Sequence, residues 1–144
     1  MALDPRNPVV ALCAAGMAAD DAATARDCFT KAWAVRADDF EAAVAAHYMA
    51  RLQPDAGGKL DWDARAVQHA EAAIAGGDTR VRVMLASLYL NLGDGLLGAG
   101  RPDKARDAIA RAEAALAALA GDGYGGFVAA GVARLRARAL GQGE

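Results

Sequence analysis

An internal repeat constrains the fold of this chain more than any other feature of its sequence. When residues 29–48 are laid over residues 70–89, apolar positions coincide and the loops fall together. The matching pairs are all apolar or aromatic: Phe29 with Ala70, Ala32 with Ala73, Phe40 with Val81, Val44 with Leu85, Ala45 with Ala86 and Tyr48 with Tyr89. One helical pattern recurs a third time, since Ala66, Ala70 and Ala73 correspond to Ala105, Ile109 and Ala112. The first two copies are offset by 41 residues. A repeat of this length predicts a stack of similar supersecondary units.

The composition indicates that these units are helical. The chain has 40 alanines among its 144 residues, and alanine is the best helix former. Few segments alternate with period two, so strands are not expected. The periodicity predicts an all-α fold with a single domain over residues 1–144. Asp61 is expected to cap the N-terminal end of the predicted helix that begins at Trp62. The seven predicted helices are Pro8–Ala19, Asp21–Val35, Asp39–Leu52, Trp62–Ala75, Arg80–Leu97, one from Pro102 onward, and Tyr124–Leu140.

The spacing of small and large residues resembles the tetratricopeptide repeat. In that family a small residue, a large residue and a second small residue stand at fixed positions of the second helix of each pair. Ala25, Phe29 and Ala32 match this pattern. The third copy matches it with Ala105, Ile109 and Ala112, and the second copy has Ala66, Ala70 and Ala73, with alanine at the large position. The repeat here is about 40 residues long, whereas the family's usual period is 34, so the chain resembles small bacterial members with lengthened repeats.

The resemblance implies an overall architecture. Antiparallel helix pairs would stack as a short right-handed superhelix of about three repeats, and a capping helix would follow at the C-terminal end. The apolar residues of the seventh predicted helix would cover the exposed end of the array. These residues are Tyr124, Val128, Val132 and Leu135.

Charge and motifs exclude several classes of function. A net charge of −2 and a pI near 5.7 do not fit a nucleic-acid-binding protein, which presents a basic face. No stretch reaches the roughly 20 apolar residues that cross a bilayer, and we expect a cytoplasmic protein without membrane contact. Ser87 lies in no nucleophile motif, and the two histidines form no metal-ligand spacing. We therefore expect no catalytic residue, no metal site and no cofactor.

The resemblance also implies a binding surface. The first helix of each pair would line a concave groove that holds another protein or a peptide. The groove candidates, which come from the first, third and fifth predicted helices, are Met17, Met49, Arg80, Ser87, Leu90 and Asn91. Only Arg80 and Asn91 among them could hold a carboxylate, so we expect contacts that are mainly apolar.

Two alternatives stay open from the sequence. One is a small-molecule pocket or enzyme site between helices, with His47, Tyr48, Arg51 and Tyr89 as its polar residues. His47 and Arg51 are four residues apart and share a helix face. The other alternative is assembly of a homodimer through an exposed end of the array. Trp33 and Trp62 are expected to pack between repeats.

Overall fold

The computed structural model describes residues 3–117 and 123–142. Within these ranges the chain forms seven α-helices and no strand. The helices are α1 (Pro8–Ala18), α2 (Ala22–Val35), α3 (Asp39–Met49), α4 (Ala56–Ala75), α5 (Leu85–Gly98), α6 (Pro102–Leu116) and α7 (Gly123–Gln142). Each of the first six packs most closely on the other member of a consecutive pair. The prediction of an all-α fold built from helix pairs is confirmed.

Side chains at the N-terminal ends of the first four helices explain where these helices begin. The Asn7 side-chain oxygen accepts hydrogen bonds from the Val9 and Val10 amides. Asp21, Asp38 and Asp55 do the same for α2, α3 and α4, accepting from amides three residues further on. These caps satisfy amides that have no partner within the helix.

The predicted start of the fourth helix was wrong. It begins at Ala56, six residues before Trp62, and its cap is Asp55 rather than Asp61. Gly57 and Gly58 lie in its first turn, and the Gly58 amide donates to Asp55 Oδ1 at 2.7 Å. This capping bond offsets the low helix propensity of glycine in the first turn.

Two other boundaries differ because the chain tightens into a 3₁₀ helix. After α3 the chain continues as a 3₁₀ turn over Ala50–Leu52. Before α5 a second 3₁₀ segment occupies Arg80–Met84, where an α-helix was predicted to begin. Val81 and Val83 lie in this segment, and β-branched residues are less favourable in an α-helix.

The chain divides into two compact units. The N-terminal unit, Ala2–Val81, contains α1 to α4. In it α1 packs on α2, α3 packs on α4, and α3 also contacts both helices of the first pair. Its largest fully buried side chains include Val9, Cys13 and Val44. That both units form one domain stays a prediction.

The C-terminal unit, Arg82–Glu144, contains α5, α6 and α7. Here α5 packs on α6, and α7 contacts both of them. Val128, Val132 and Leu135 of α7 are buried, whereas the side chain of Tyr124, the fourth predicted capping residue, lies outside the described residues. The helix α7 thus closes the apolar side of this unit.

Candidate functional site

Four of the predicted site residues lie on α5, in the C-terminal unit. Tyr89 is buried, and Ser87, Leu90 and Asn91 are half-buried. Leu90 packs directly on α7, since a Cβ added at Gly131 would lie 2.9 Å from its Cδ2 atom. In this unit α5 therefore holds its Leu90 side chain against another helix.

Arg80, a groove candidate, is held by acidic residues of its own unit. Its Nη2 atom lies 2.6 Å from an Asp78 oxygen and 3.0 Å from an Asp38 oxygen. Its guanidinium carbon lies 4.3 Å from the centre of the Phe40 ring. The hydrogen bonds to Asp78 and Asp38 raise the pKa of Arg80 above its usual value. These contacts fix the end of α4 to the start of α3.

The polar residues at the end of α3 form a second group. The rings of His47 and Tyr48 meet edge to face with their centres 4.9 Å apart. Burial lowers the pKa of His47 to about 4, and the nearby Arg51 and Lys59 cations act in the same direction. His47 is therefore neutral at pH 7. Lys59 forms an ion pair of 2.6 Å with the buried Asp63.

A cavity of about 360 Å³ brings Met17 and Arg51 together. We call it the α1–α3 cavity, because α1, the start of α2 and the 3₁₀ turn after α3 supply its walls. It is lined by Gly16, Met17, Ala22, Ala25, Arg26, Phe29, Arg51 and Leu52. Met17 is 49% exposed although it is a large apolar side chain. The other groove candidate of this unit, Met49, is half-buried and lies outside this lining.

Phe29 forms the rigid wall of the cavity. Its ring stacks on that of Tyr48 with the centres 5.3 Å apart. On its other side it meets the backbone of α1, since a Cβ added at Gly16 would lie 2.4 Å from Phe29 Cε1. Only glycine leaves room for the ring there. The aromatic wall is consequently held between two helices, and its position does not depend on an occupant of the cavity.

The two arginines of the cavity differ in their electrostatic surroundings from other cations of the unit. Arg26 and Arg51 are exposed, and neither has a carboxylate oxygen within 4.0 Å in the described part of the chain. In contrast, Arg6, Lys31, Lys59 and Arg80 each lie within 3.1 Å of one. The N-terminal unit has twelve acidic and eight basic residues. Arg26 and Arg51 therefore keep free donors even though carboxylates are abundant around them.

The cavity can accept an amphipathic group. Met17 and Leu52 offer apolar surface, and the guanidinium groups offer planar sets of donors that match a carboxylate. A few polar groups around an apolar concave surface are typical of binding sites. Sequence reasoning identified Met17 and Arg51 but placed them in different candidate sites, and it missed Arg26 and the cavity-lining role of Phe29 and Leu52. Arg26 gave one local signal, because no acidic residue stands three or four positions away from it.

Neither a cluster of metal-binding side chains nor a membrane-spanning helix occurs within the described ranges. No group of three or more metal-binding side chains comes together there, and none of the helices is both long and apolar enough to cross a bilayer. No protein-family model, curated protein or solved structure matches this chain.

Proposed function

We propose that this chain is a protein–protein interaction module of the tetratricopeptide kind, which binds a segment of a partner protein in the α1–α3 cavity. One observation carries the proposal: a cavity with an exposed methionine and a fixed aromatic wall also holds two arginines without carboxylate partners. We also propose that the protein is cytoplasmic. The resemblance of the repeats is an analogy at the level of the fold, and the cavity supplies the local argument.

The cavity defines the chemistry of the bound segment. A bulky apolar side chain would pack against Met17 and Leu52, and an acidic residue next to it would bind the guanidinium groups of Arg26 and Arg51. Hydrogen bonds to charged groups contribute about 1.5–3 kcal/mol each. Arginine is also among the residues that carry most binding energy in protein interfaces. The preferred segment therefore combines leucine or phenylalanine with aspartate or glutamate.

The test measures binding of short fluorescent peptides in which leucine or phenylalanine stands next to aspartate. The double variant Arg26→Gln/Arg51→Gln should weaken binding at least tenfold, or about 1.4 kcal/mol. The matched control Arg6→Gln/Lys31→Gln removes the same charge from outside the cavity and should leave the affinity unchanged.

Three results would contradict the proposal. The first is equal affinity in both double variants. The second is the absence of binding by any peptide while a small apolar carboxylic acid binds, which would favour a small-molecule pocket. The third is a homodimer in light scattering that dissociates in the Arg26→Gln/Arg51→Gln variant, which would assign this surface to self-association.

A further inference from the structure

A second cluster of aromatic and basic residues lies apart from the α1–α3 cavity, on α2 and α4. Trp33 of α2 and Trp62 of α4 meet edge to face with ring centres 4.9 Å apart. The Trp33 ring also lies 6.2 Å from that of His69. Because one ring comes from α2 and the other from α4, the tryptophans pack between helix pairs, as predicted. Both are only half-buried and still present surface to solvent.

Each of these tryptophans carries an arginine on its ring. The guanidinium carbon of Arg36 lies 3.7 Å from the centre of the Trp33 ring, and Arg36 Nη1 donates a hydrogen bond of 2.6 Å to the Trp33 carbonyl. The guanidinium carbon of Arg65 lies 4.4 Å from the Trp62 ring centre. An arginine stacked on an aromatic ring retains donors along its edge. We call Trp33, Arg36, Trp62 and Arg65 the tryptophan–arginine face.

The nearby acids are engaged elsewhere. Asp39 Oδ1 lies 2.9 Å from His69 Nδ1, and Asp38 binds Arg80 at 3.0 Å. No carboxylate within the described residues lies within 4.0 Å of the side-chain nitrogens of Arg36 or Arg65. The tryptophan rings thus fix the positions of two exposed guanidinium groups, in a unit whose acidic residues outnumber its basic ones. Their donors are open to a carboxylate from outside this unit.

We propose that the tryptophan–arginine face binds an acidic segment of a second partner protein. Carboxylates of the segment would accept hydrogen bonds from Arg36 and Arg65, and its apolar side chains would pack on the open parts of the tryptophan rings. Tryptophan and arginine are the residues most enriched among those that dominate interface energetics. An adjoining cleft of about 420 Å³ is lined by Arg36, Ala37, Asp38, Asp39, Ala42 and His69. Because Asp38 and Asp39 lie in this lining, it would take an uncharged part of the segment beside the rings.

The charge of the unit favours a protein over a nucleic acid. Stacked tryptophans and arginines also occur where single strands bind, but such sites lie in a basic groove that follows the phosphates. The N-terminal unit has twelve acidic and eight basic residues. Its net negative charge would repel a polyanion along most of the surface. A short acidic segment needs only the two local guanidinium groups.

This face shares no residue with the α1–α3 cavity, so the inference does not depend on the proposed function. A chain with both surfaces would hold two different segments at once. It would then act as an adaptor that brings two partners together, with the apolar–acidic segment in the cavity and the acidic segment on the tryptophans.

The test uses the fact that the chain has only two tryptophans, both on this face. A peptide of alternating glutamate and leucine is titrated into the full chain, and into its Arg26→Gln/Arg51→Gln variant so that the α1–α3 cavity does not compete for the peptide. The tryptophan fluorescence and the two indole N–H signals in NMR spectra are followed. We expect saturable changes that weaken with added salt. Arg36→Gln/Arg65→Gln should reduce the affinity at least tenfold, and Arg26→Gln/Arg51→Gln should leave it unchanged. A lysine–leucine peptide should produce no change.

Several results would overturn the inference. These are no indole change with the glutamate peptide, equal binding by Arg36→Gln/Arg65→Gln, or a stronger indole change with oligothymidylate than with the peptide. Protein-concentration-dependent indole changes without any peptide would assign the face to self-association. Because Arg36 and Arg65 are exposed, the Arg36→Gln/Arg65→Gln variant should keep the thermal midpoint of the wild-type chain. A second variant, Arg36→Lys/Arg65→Lys, keeps the positive charges and removes the planar guanidinium groups.

Discussion

The two units of this protein are both built from paired helices, but they fill the space between helices differently. The N-terminal unit uses rings, since five of the chain's eight aromatic residues lie there: Phe29, Trp33, Phe40, Tyr48 and Trp62. The C-terminal unit uses mainly aliphatic side chains, and Leu88, Leu97 and Ile109 are its largest fully buried ones. At Gly93 of α5 an added Cβ would lie 3.1 Å from Leu135 and 3.5 Å from Ala108, so three helices converge there.

This difference bears on where binding surfaces can occur. Flexible aliphatic side chains pack closely between helices and leave little space for an occupant. The half-buried rings of Trp33, Tyr48 and Trp62 keep part of their edges and faces open where the packing ends. The α1–α3 cavity and the tryptophan–arginine face both adjoin such rings, so we place both candidate surfaces of the protein in the N-terminal unit.

The largest effect should come from removing a ring at the cavity wall. Phe29→Ala deletes a side chain that is 3% exposed and leaves a void between Gly16 and Tyr48. We expect a loss of about 3–5 kcal/mol in the free energy of unfolding. Phe127→Ala is the matched control in the other unit, because Phe127 is 76% exposed, and it should cost less than about 0.5 kcal/mol. Urea unfolding measures both, and similar losses would contradict the packing described for the two units.

A second comparison adds a methyl group to a glycine in each unit. Gly16→Ala places a Cβ 2.4 Å from the fixed Phe29 ring, whereas Gly131→Ala places one 2.9 Å from the end of the flexible Leu90 side chain. We expect Gly16→Ala to destabilise by about 1–3 kcal/mol. Gly131→Ala should change stability by less than about 1 kcal/mol, because Leu90 can move and alanine favours the helix. Gly126→Ala meets nothing within 4 Å and is the control, with an expected gain of up to about 1 kcal/mol. A Gly16→Ala variant as stable as wild type would show that the ring is not confined.

The stability of the N-terminal unit should also depend on His47. The pKa of His47 is about 4 in the folded chain and near 6.5 in an unfolded one. Between these values the unfolded chain binds a proton that the folded chain does not, so this contribution to stability is complete above pH 6.5 and is lost as pH falls toward 4. From pH 7 to pH 5 we expect His47 to account for a loss of about 1–2 kcal/mol.

The measurement is urea unfolding at both pH values, followed by tryptophan fluorescence, which reports this unit. His47→Gln cannot titrate there and should show a smaller loss, while all carboxylates titrate in both proteins. Equal pH dependence of the two proteins would mean that His47 is not shielded from water.

The smallest predicted effect concerns the two cysteine thiols. It is a difference in their rates of chemical modification and not a change in stability. Both thiols are free. Burial raises the pKa of Cys13 to about 12, with a further contribution from Cys28 nearby. Cys28 is half-buried. Because the thiolate is the reactive form, iodoacetamide should modify Cys28 at least about tenfold faster than Cys13 in the folded protein. Peptide mass spectrometry measures the two rates, and the unfolded chain, in which the rates should be equal, is the control.

Much of the fold followed from local pattern. The alanine and leucine spacing predicted all seven helices, because close helix packing needs small residues at fixed intervals. The start of α4 was missed, because the glycines of its first turn disfavour a helix and only the geometry at Asp55 reveals the cap. Residues that meet through tertiary packing were harder to find. Arg26 and Arg51 stand 25 positions apart, and only the packing of α3 on the first helix pair brings them to one cavity.

The contact between Gly16 and Phe29 has a consequence for how sequences of this kind can diverge. A ring at position 29 tolerates no side chain at position 16, while a smaller residue at 29 releases that restriction. Substitutions at the two positions should therefore be accepted as a pair, with glycine accompanying an aromatic residue and alanine or serine accompanying leucine or valine. Coupled change at this pair would mark chains that share this helix crossing even after most other positions have diverged.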